Sequence, residues 1–158
     1  MMELREAYRL RRAIQMAAYT YICVLLGACG GPSAPIQIKD AWAPATAPGA
    51  TVGAAYMRIE AREADTLVGF ASPIANTVEL HRTAFEEGIA QMRKVDSVIV
   101  SADTPLVLEP SGLHLMLQGL SAPLEAGSSI HLTLQFRNAG DVTAEIHVMA
   151  AGAHPEHH

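Results

Sequence analysis

The sequence has 158 residues, half of them apolar and 17% charged, with a mean hydropathy of +0.19. That length suits one domain, and that composition excludes intrinsic disorder. A formal net charge of −5, with no block of like charges, argues against a nucleic-acid partner, whose phosphates call for a basic face. Two cysteines are too few for a disulfide framework or a thiolate zinc site, whereas seven His and seven Met stand out against 5% aromatics.

The first 28 residues read as a separate polymer. Arg5, Arg9, Arg11 and Arg12 precede an uncharged run from Ala13 to Ala28. A basic start followed by a short apolar run is the pattern of a secretory signal, and the run is shorter than the ~20 residues of a spanning helix. Leu26-Gly27-Ala28-Cys29 resembles a bacterial lipobox, which implies lipidation of Cys29 and a new N-terminus there. The lipid would tether the chain to a membrane without crossing it. Residues 29–35, rich in Gly, Pro and Ser, read as a short flexible tether. Gly30 is not the Asp associated with inner-membrane retention, which favours the outer membrane if the source is Gram-negative. Removing residues 1–28 takes away Cys23, four Arg and two Glu. Seven basic and fourteen acidic residues remain, a net charge of −7 that favours a cationic cargo.

From Ile36 the pattern has period 2. Ile36 and Ile38 alternate with Gln37 and Lys39, and Tyr56–Glu60 is a second, mixed segment. Val78 and Leu80 alternate with Glu79 and His81. Leu113, Leu115 and Leu117 alternate with His114, Met116 and Gln118. Ile130, Leu132, Leu134 and Phe136, then Val142, Ala144, Ile146 and Val148, complete the series. Such alternation marks strands with one buried face. Turn signals separate them at Ala47-Pro48-Gly49, Ala102–Pro105, Pro110-Ser111-Gly112, Ala126-Gly127 and Asn138-Ala139-Gly140. No stretch of ten residues has the periodicity of an amphipathic helix. The expectation is an all-β antiparallel sandwich or barrel of eight or nine strands.

Alternation also places the residues that carry chemistry. His114 and Met116 share one face, roughly 7 Å apart along the strand, with the leucines on the other. His81 stands opposite Val78 and Leu80 in the same way. A Met facing away from the core beside a His suggests a soft metal site. Thioether sulfur favours Cu(I), whereas zinc prefers imidazole, carboxylate or thiolate. A thioether also survives in an oxidising compartment where thiols pair into disulfides.

The spacing His81-x10-Met92-x21-His114-x-Met116 resembles the periplasmic copper chaperones of the PCu(A)C type. Tyr56-Met57, Leu67-Val68-Gly69, Val78-Glu79-Leu80-His81, Met92-Arg93 and Gly112–Met116 extend the resemblance over residues 36–149. It implies a cupredoxin-like antiparallel Greek-key barrel or sandwich that binds Cu(I) through His81, Met92, His114 and Met116. It also implies delivery of copper to the CuA subunit of cytochrome c oxidase, or to another copper chaperone, outside the cytoplasmic membrane. Such a protein is a carrier, not an enzyme. A copper buffering or resistance protein would use the same ligands, and a structural lipoprotein without metal is the bland alternative. Two departures stand out: Arg82 replaces a Met common after the first His, and Lys94 replaces a common Pro and reads as surface variation.

His147-x-Met149 repeats the spacing of His114-x-Met116 and precedes a His-rich tail, residues 150–158, that includes His154, His157 and His158. Short His-rich tracts bind metal, and nitrogen ligands suit Cu(II), so these five residues are a candidate second site. Met57 reads as core, His131 as a solvated strand residue, and Trp42 as packing.

Overall fold

The computed structural model describes residues 35–86 and 88–153 of the chain. Ten strands run in chain order as β1 (Ile36–Pro44), β2 (Val52–Ala61), β3 (Asp65–Ala71), β4 (Ala75–Glu86), β5 (Ile89–Lys94), β6 (Val98–Val100), β7 (Leu106–Leu108), β8 (Leu113–Leu120), β9 (Ser129–Phe136) and β10 (Gly140–Met149). No helix occurs among the described residues, so the all-β expectation holds. The strand order is β5-β4-β8-β2-β1-β10-β9-β3-β6, with β7 attached to β2.

Strand β2 is the hinge of this arrangement. Its first half pairs with β8 through Val52↔Gln118 to Ala55↔Leu115. Its second half pairs with β1 and β7. One strand thus serves two leaves, β5-β4-β8 on one side and β1-β10-β9-β3-β6 on the other. A single core joins them: Leu80, Leu115 and Leu117 from the first leaf pack in the same cluster as Leu67, Leu132, Leu134 and Ile146 from the second. Removing each such side chain from water contributes about 1.5–3 kcal/mol, which is what sets the register of the alternating strands.

Two features depart from simple alternation. First, β1 and β10 run parallel through Trp42↔His147, Ala43↔Val148 and Pro44↔Met149, while every other pairing among the described residues is antiparallel. Alternation encodes which face is buried, not strand direction, so this seam was invisible in the pattern. Second, the register of β1 shifts between Lys39 and Trp42. Asp40 sits there at φ 49°, a left-handed conformation that Asp tolerates better than most residues. The bulge inverts the phase of the strand. Ile36 lies in the core before it and Ala43 after it, and Trp42 is turned to the opposite face.

Asp65 closes the second leaf at the turn after β9. Its carboxylate accepts hydrogen bonds from the backbone N–H groups of Thr66, Asn138 and Ala139 at 2.7, 3.0 and 2.8 Å. Burial alone would push this carboxyl up, but the donors Ala139, Thr66 and Asn138 outweigh it and hold the group below its ordinary range.

Candidate metal centre

The site grows out of the pairing of β4 with β8. His81 and His114 are direct cross-strand partners, with ring centroids 6.2 Å apart. The next residue pair on that face is Glu79 with Met116. On the outer side, β5 adds Met92 opposite Thr83 and Lys94 opposite His81. Met92, His114 and Met116 line one cleft of about 470 Å³, together with Tyr56, Phe85 and Val52. His81 borders it through its contact with His114. All four residues singled out by spacing thus belong to one face of three adjacent strands.

Their exposures differ. Leu113, Leu115 and Leu117 are buried on the core side, as alternation requires. His114 faces away from them but is only 4% exposed. The ring of Tyr56 stands 6.4 Å from it and His81 flanks the other side. Met116 is half-buried, and Met92, on the outermost strand, is 58% exposed.

Each imidazole is tied at one nitrogen and open at the other. His114 Nδ1 lies 3.2 Å from the carbonyl of Gly112, so its proton belongs on Nδ1 and its lone pair on Nε2. His81 has the opposite arrangement. Its Nε2 lies 3.0 Å from Glu79 Oε2, while its Nδ1 is buried with no hydrogen-bond partner. A buried polar atom left bare is costly, and a metal ion is one way to satisfy it. Among the described residues no three of His, Cys, Asp and Glu cluster as a metal site. Two imidazole lone pairs with two thioethers nearby make a soft set that fits Cu(I) better than a hard cation.

Glu79 is the residue that spacing did not single out. Its Oε1 accepts from Lys94 Nζ at 2.7 Å, and its Oε2 accepts from His81 Nε2 and from Gln118 Nε2 at 3.0 and 3.1 Å. Lys94 and then His81 hold its carboxyl below the ordinary range, and Glu79 raises Lys94 in return. Lys94 is therefore part of this network, which corrects its reading as surface variation. Gln118 Nε2 also lies 3.6 Å from Met116 Sδ. The available signal was alternation itself: Glu79 is two residues before His81, and Gln118 two after Met116. Arg82 stands on the other face of β4, cross-strand from Arg93, so a Met at that position would not face the cleft.

A continuous line of side chains crosses the sheet at the level of the histidines. Lys94, His81 and His114 are successive partners. The register of β2 with β8 continues the line to Tyr56, and Trp42 pairs with Tyr56, the two rings 4.7 Å apart. Trp42 is buried, as packing requires, but against Tyr56 on the cleft-side face. Burial also pushes the Tyr56 phenol up. The line ends at His147, which pairs with Trp42 and Ser129.

His147 is exposed, with Nδ1 3.2 Å from Ser129 Oγ, and Met149 is half-buried beside Pro44. Cys29, His154, His157 and His158 lie outside the described residues. Met57 is buried and His131 exposed, as expected.

Comparison with known proteins fits this geometry. The model of a family described as "Putative lipoprotein LpqE-like" matches residues 36–148. The chain belongs to the LpqE-like family. A curated relative named "Putative lipoprotein Lxx21020", from Leifsonia xyli subsp. xyli, is 35% identical over 102 residues, 64% of this chain. The match spans 61% of that relative's length. Among solved structures, the copper-bound PCuAC domain from PmoF2 is 26% identical and covers 73% of this chain and 93% of that one, with a TM-score of 0.61. Apo-DR1885 from Deinococcus radiodurans is 28% identical, covers 80% and 87% of the two chains, and has a TM-score of 0.59. The CuI form of DR1885 is also 28% identical, covers 78% and 83%, and has a TM-score of 0.56. The LpqE-like domain therefore has the cupredoxin-like β fold of PCuAC domains.

Proposed function

We propose that this chain is a copper carrier that binds Cu(I) through His81, Met92, His114 and Met116 and passes it on by ligand exchange. One observation carries the reading: two cross-strand imidazoles each have one nitrogen anchored and the other without a protein partner, and one of them, His114, lines a cleft together with two thioethers. The copper-bound PmoF2 domain and the CuI form of DR1885 support it from the side of the fold. Thioethers and neutral imidazoles leave a bound Cu(I) with its charge unneutralised, which suits a cation that must leave again. In the transfer step one thioether departs, an acceptor ligand takes its place, and the metal crosses through a shared intermediate.

The lipobox-like Leu26–Cys29, with the lipoprotein family match, supports anchoring of the domain outside the cytoplasm through lipid on Cys29. In this reading residues 1–28 are the leader, 29–35 the tether, 36–149 the copper domain and 150–158 a tail. The acceptor is an extracytoplasmic copper protein: the CuA subunit of cytochrome c oxidase, or another copper chaperone. His147, Met149, His154, His157 and His158 form a weaker Cu(II) site. Deleting residues 150–158 should remove Cu(II) binding and spare Cu(I), and unchanged stoichiometry for both ions would refute that site.

Anaerobic Cu(I) competition titration of the domain, beside a Met92→Ala, Met116→Ala double variant, tests the main site. Wild type should hold one Cu(I) far more tightly than the variant. Equal affinity would reject the ligand set. Transfer to an apo CuA subunit, measured next, separates a carrier from a copper buffer, which would bind as well and not transfer.

A further inference from the structure

We infer that Glu79 is the positioning residue of this site: it locks His81 as an Nδ1 ligand and, through Gln118, steadies the Met116 sulfur. The inference rests on the reading that His81 and Met116 hold copper, and it assigns the donor atom that His81 presents.

A neutral imidazole carries one N–H and one lone pair, and the partner of one nitrogen decides which is which. Both oxygens of Glu79 already accept, Oε1 from Lys94 Nζ and Oε2 from Gln118 Nε2, so this carboxylate offers His81 an acceptor. A contact of 3.0 Å between its Oε2 and His81 Nε2 therefore places the proton on Nε2. The lone pair is left on Nδ1, the buried atom without a protein partner. His114 is set the other way by the Gly112 carbonyl and presents Nε2. The two histidines, although direct cross-strand partners, thus offer different ring nitrogens. Nδ1 lies nearer the backbone than Nε2, so the donor atom of His81 is set back towards its strand while that of His114 reaches out from the neighbouring one.

The same carboxylate reaches a thioether. Gln118 Nε2 carries two protons. One is directed at Glu79 Oε2 at 3.1 Å and the other at Met116 Sδ at 3.6 Å. A thioether has two lone pairs, so a sulfur that accepts this weak bond keeps one for a metal. Lys94 fixes the remaining oxygen of Glu79 at 2.7 Å, which prevents the carboxylate from rotating away. One exposed lysine, one carboxylate and one amide thereby restrain a ligand on β4 and a ligand on β8 together. Outer partners of metal ligands act in this way, fixing tautomer and ring orientation.

The test begins on the metal-free protein. Imidazole ¹⁵N NMR of the apo domain at neutral pH should show His81 as the Nε2–H tautomer and His114 as the Nδ1–H tautomer. A proton on Nδ1 of His81 overturns the inference without any variant being made. Glu79→Ala should release the His81 preference and weaken Cu(I) about 10- to 100-fold in anaerobic competition. Glu79→Gln keeps one carbonyl oxygen to accept from Nε2–H, so it should restore the tautomer and most of the affinity. Wild-type tautomer and affinity in Glu79→Ala would overturn the assignment, as would an equal loss in both variants. Absence of Cu(I) binding by the wild type would instead overturn the copper reading, and the apo tautomer would still decide what Glu79 does.

Discussion

His114-x-Met116 and His147-x-Met149 have the same spacing, lie on strands of similar length, and straddle a buried aliphatic residue, Leu115 in one and Val148 in the other. Their surroundings differ. His114 is buried against Tyr56 and His81, and Met116 shares a cleft with Met92. His147 is exposed, and its cross-strand partners are Trp42 and Ser129, neither of which adds an imidazole or a thioether. A His-x-Met pair therefore supplies two donors on one strand face and nothing more. Neighbouring strands are what make the pair a candidate site, and for His114 they are β4, with His81 and Glu79, and β5, with Met92.

This contrast can be attacked experimentally, starting with the respect in which the motifs are alike. Leu115→Ala should cost about 2–5 kcal/mol of folding stability, measured by denaturant titration. Val148→Ala should cost less, because a smaller side chain is removed. Little change from either would mean that the middle residues are not the shared core anchor. Next comes the respect in which they differ. Met92→Ala, Met116→Ala should weaken Cu(I) by at least about 100-fold, the upper end of what an outer-shell loss costs. His147→Ala, Met149→Ala should leave the affinity within about twofold, less than the loss of any single outer partner. Comparable losses in the two double variants would erase the distinction.

Acid should act on the fold of the second leaf. Asp65 is held below its ordinary range in the folded chain, so its contribution is complete above the unfolded carboxyl value near about 4 and disappears as pH falls through the folded value. Unfolding free energy measured from neutral to acid pH should fall over that window. Asp65→Asn should flatten the fall and lower stability at neutral pH by about 1–3 kcal/mol, the cost of poorly satisfied buried donors. An unchanged acid limb would mean that Asp65 is not the group responsible.

Much of the fold could be read from alternation, since β4, β8, β9 and β10 bury one face and their leucines, isoleucines and valines mark it. Strands β6 and β7, three residues each, are too short to show a period, and β5 is exposed at every position, so it has no buried face to announce. The parallel seam of β1 with β10 depends on strand direction, which a period-2 pattern does not carry. Trp42 shares sequence parity with Ile36 and Ile38, and only the bulge at Asp40 sends it to the other face. For the proposed site, spacing pointed to four candidate donors. Glu79, Gln118 and Tyr56 complete their setting, and these ordinary polar strand residues gain meaning only from what stands beside them on the next strand.

The line of rings across the sheet has an optical consequence. Trp42 is the one tryptophan in the sequence, and two ring-to-ring steps of 4.7 and 6.4 Å join it through Tyr56 to His114. Its fluorescence is therefore a built-in gauge of the cleft. Emission that changes with added copper, saturates at one equivalent and is abolished by His114→Ala would count the ions in the site without any attached label.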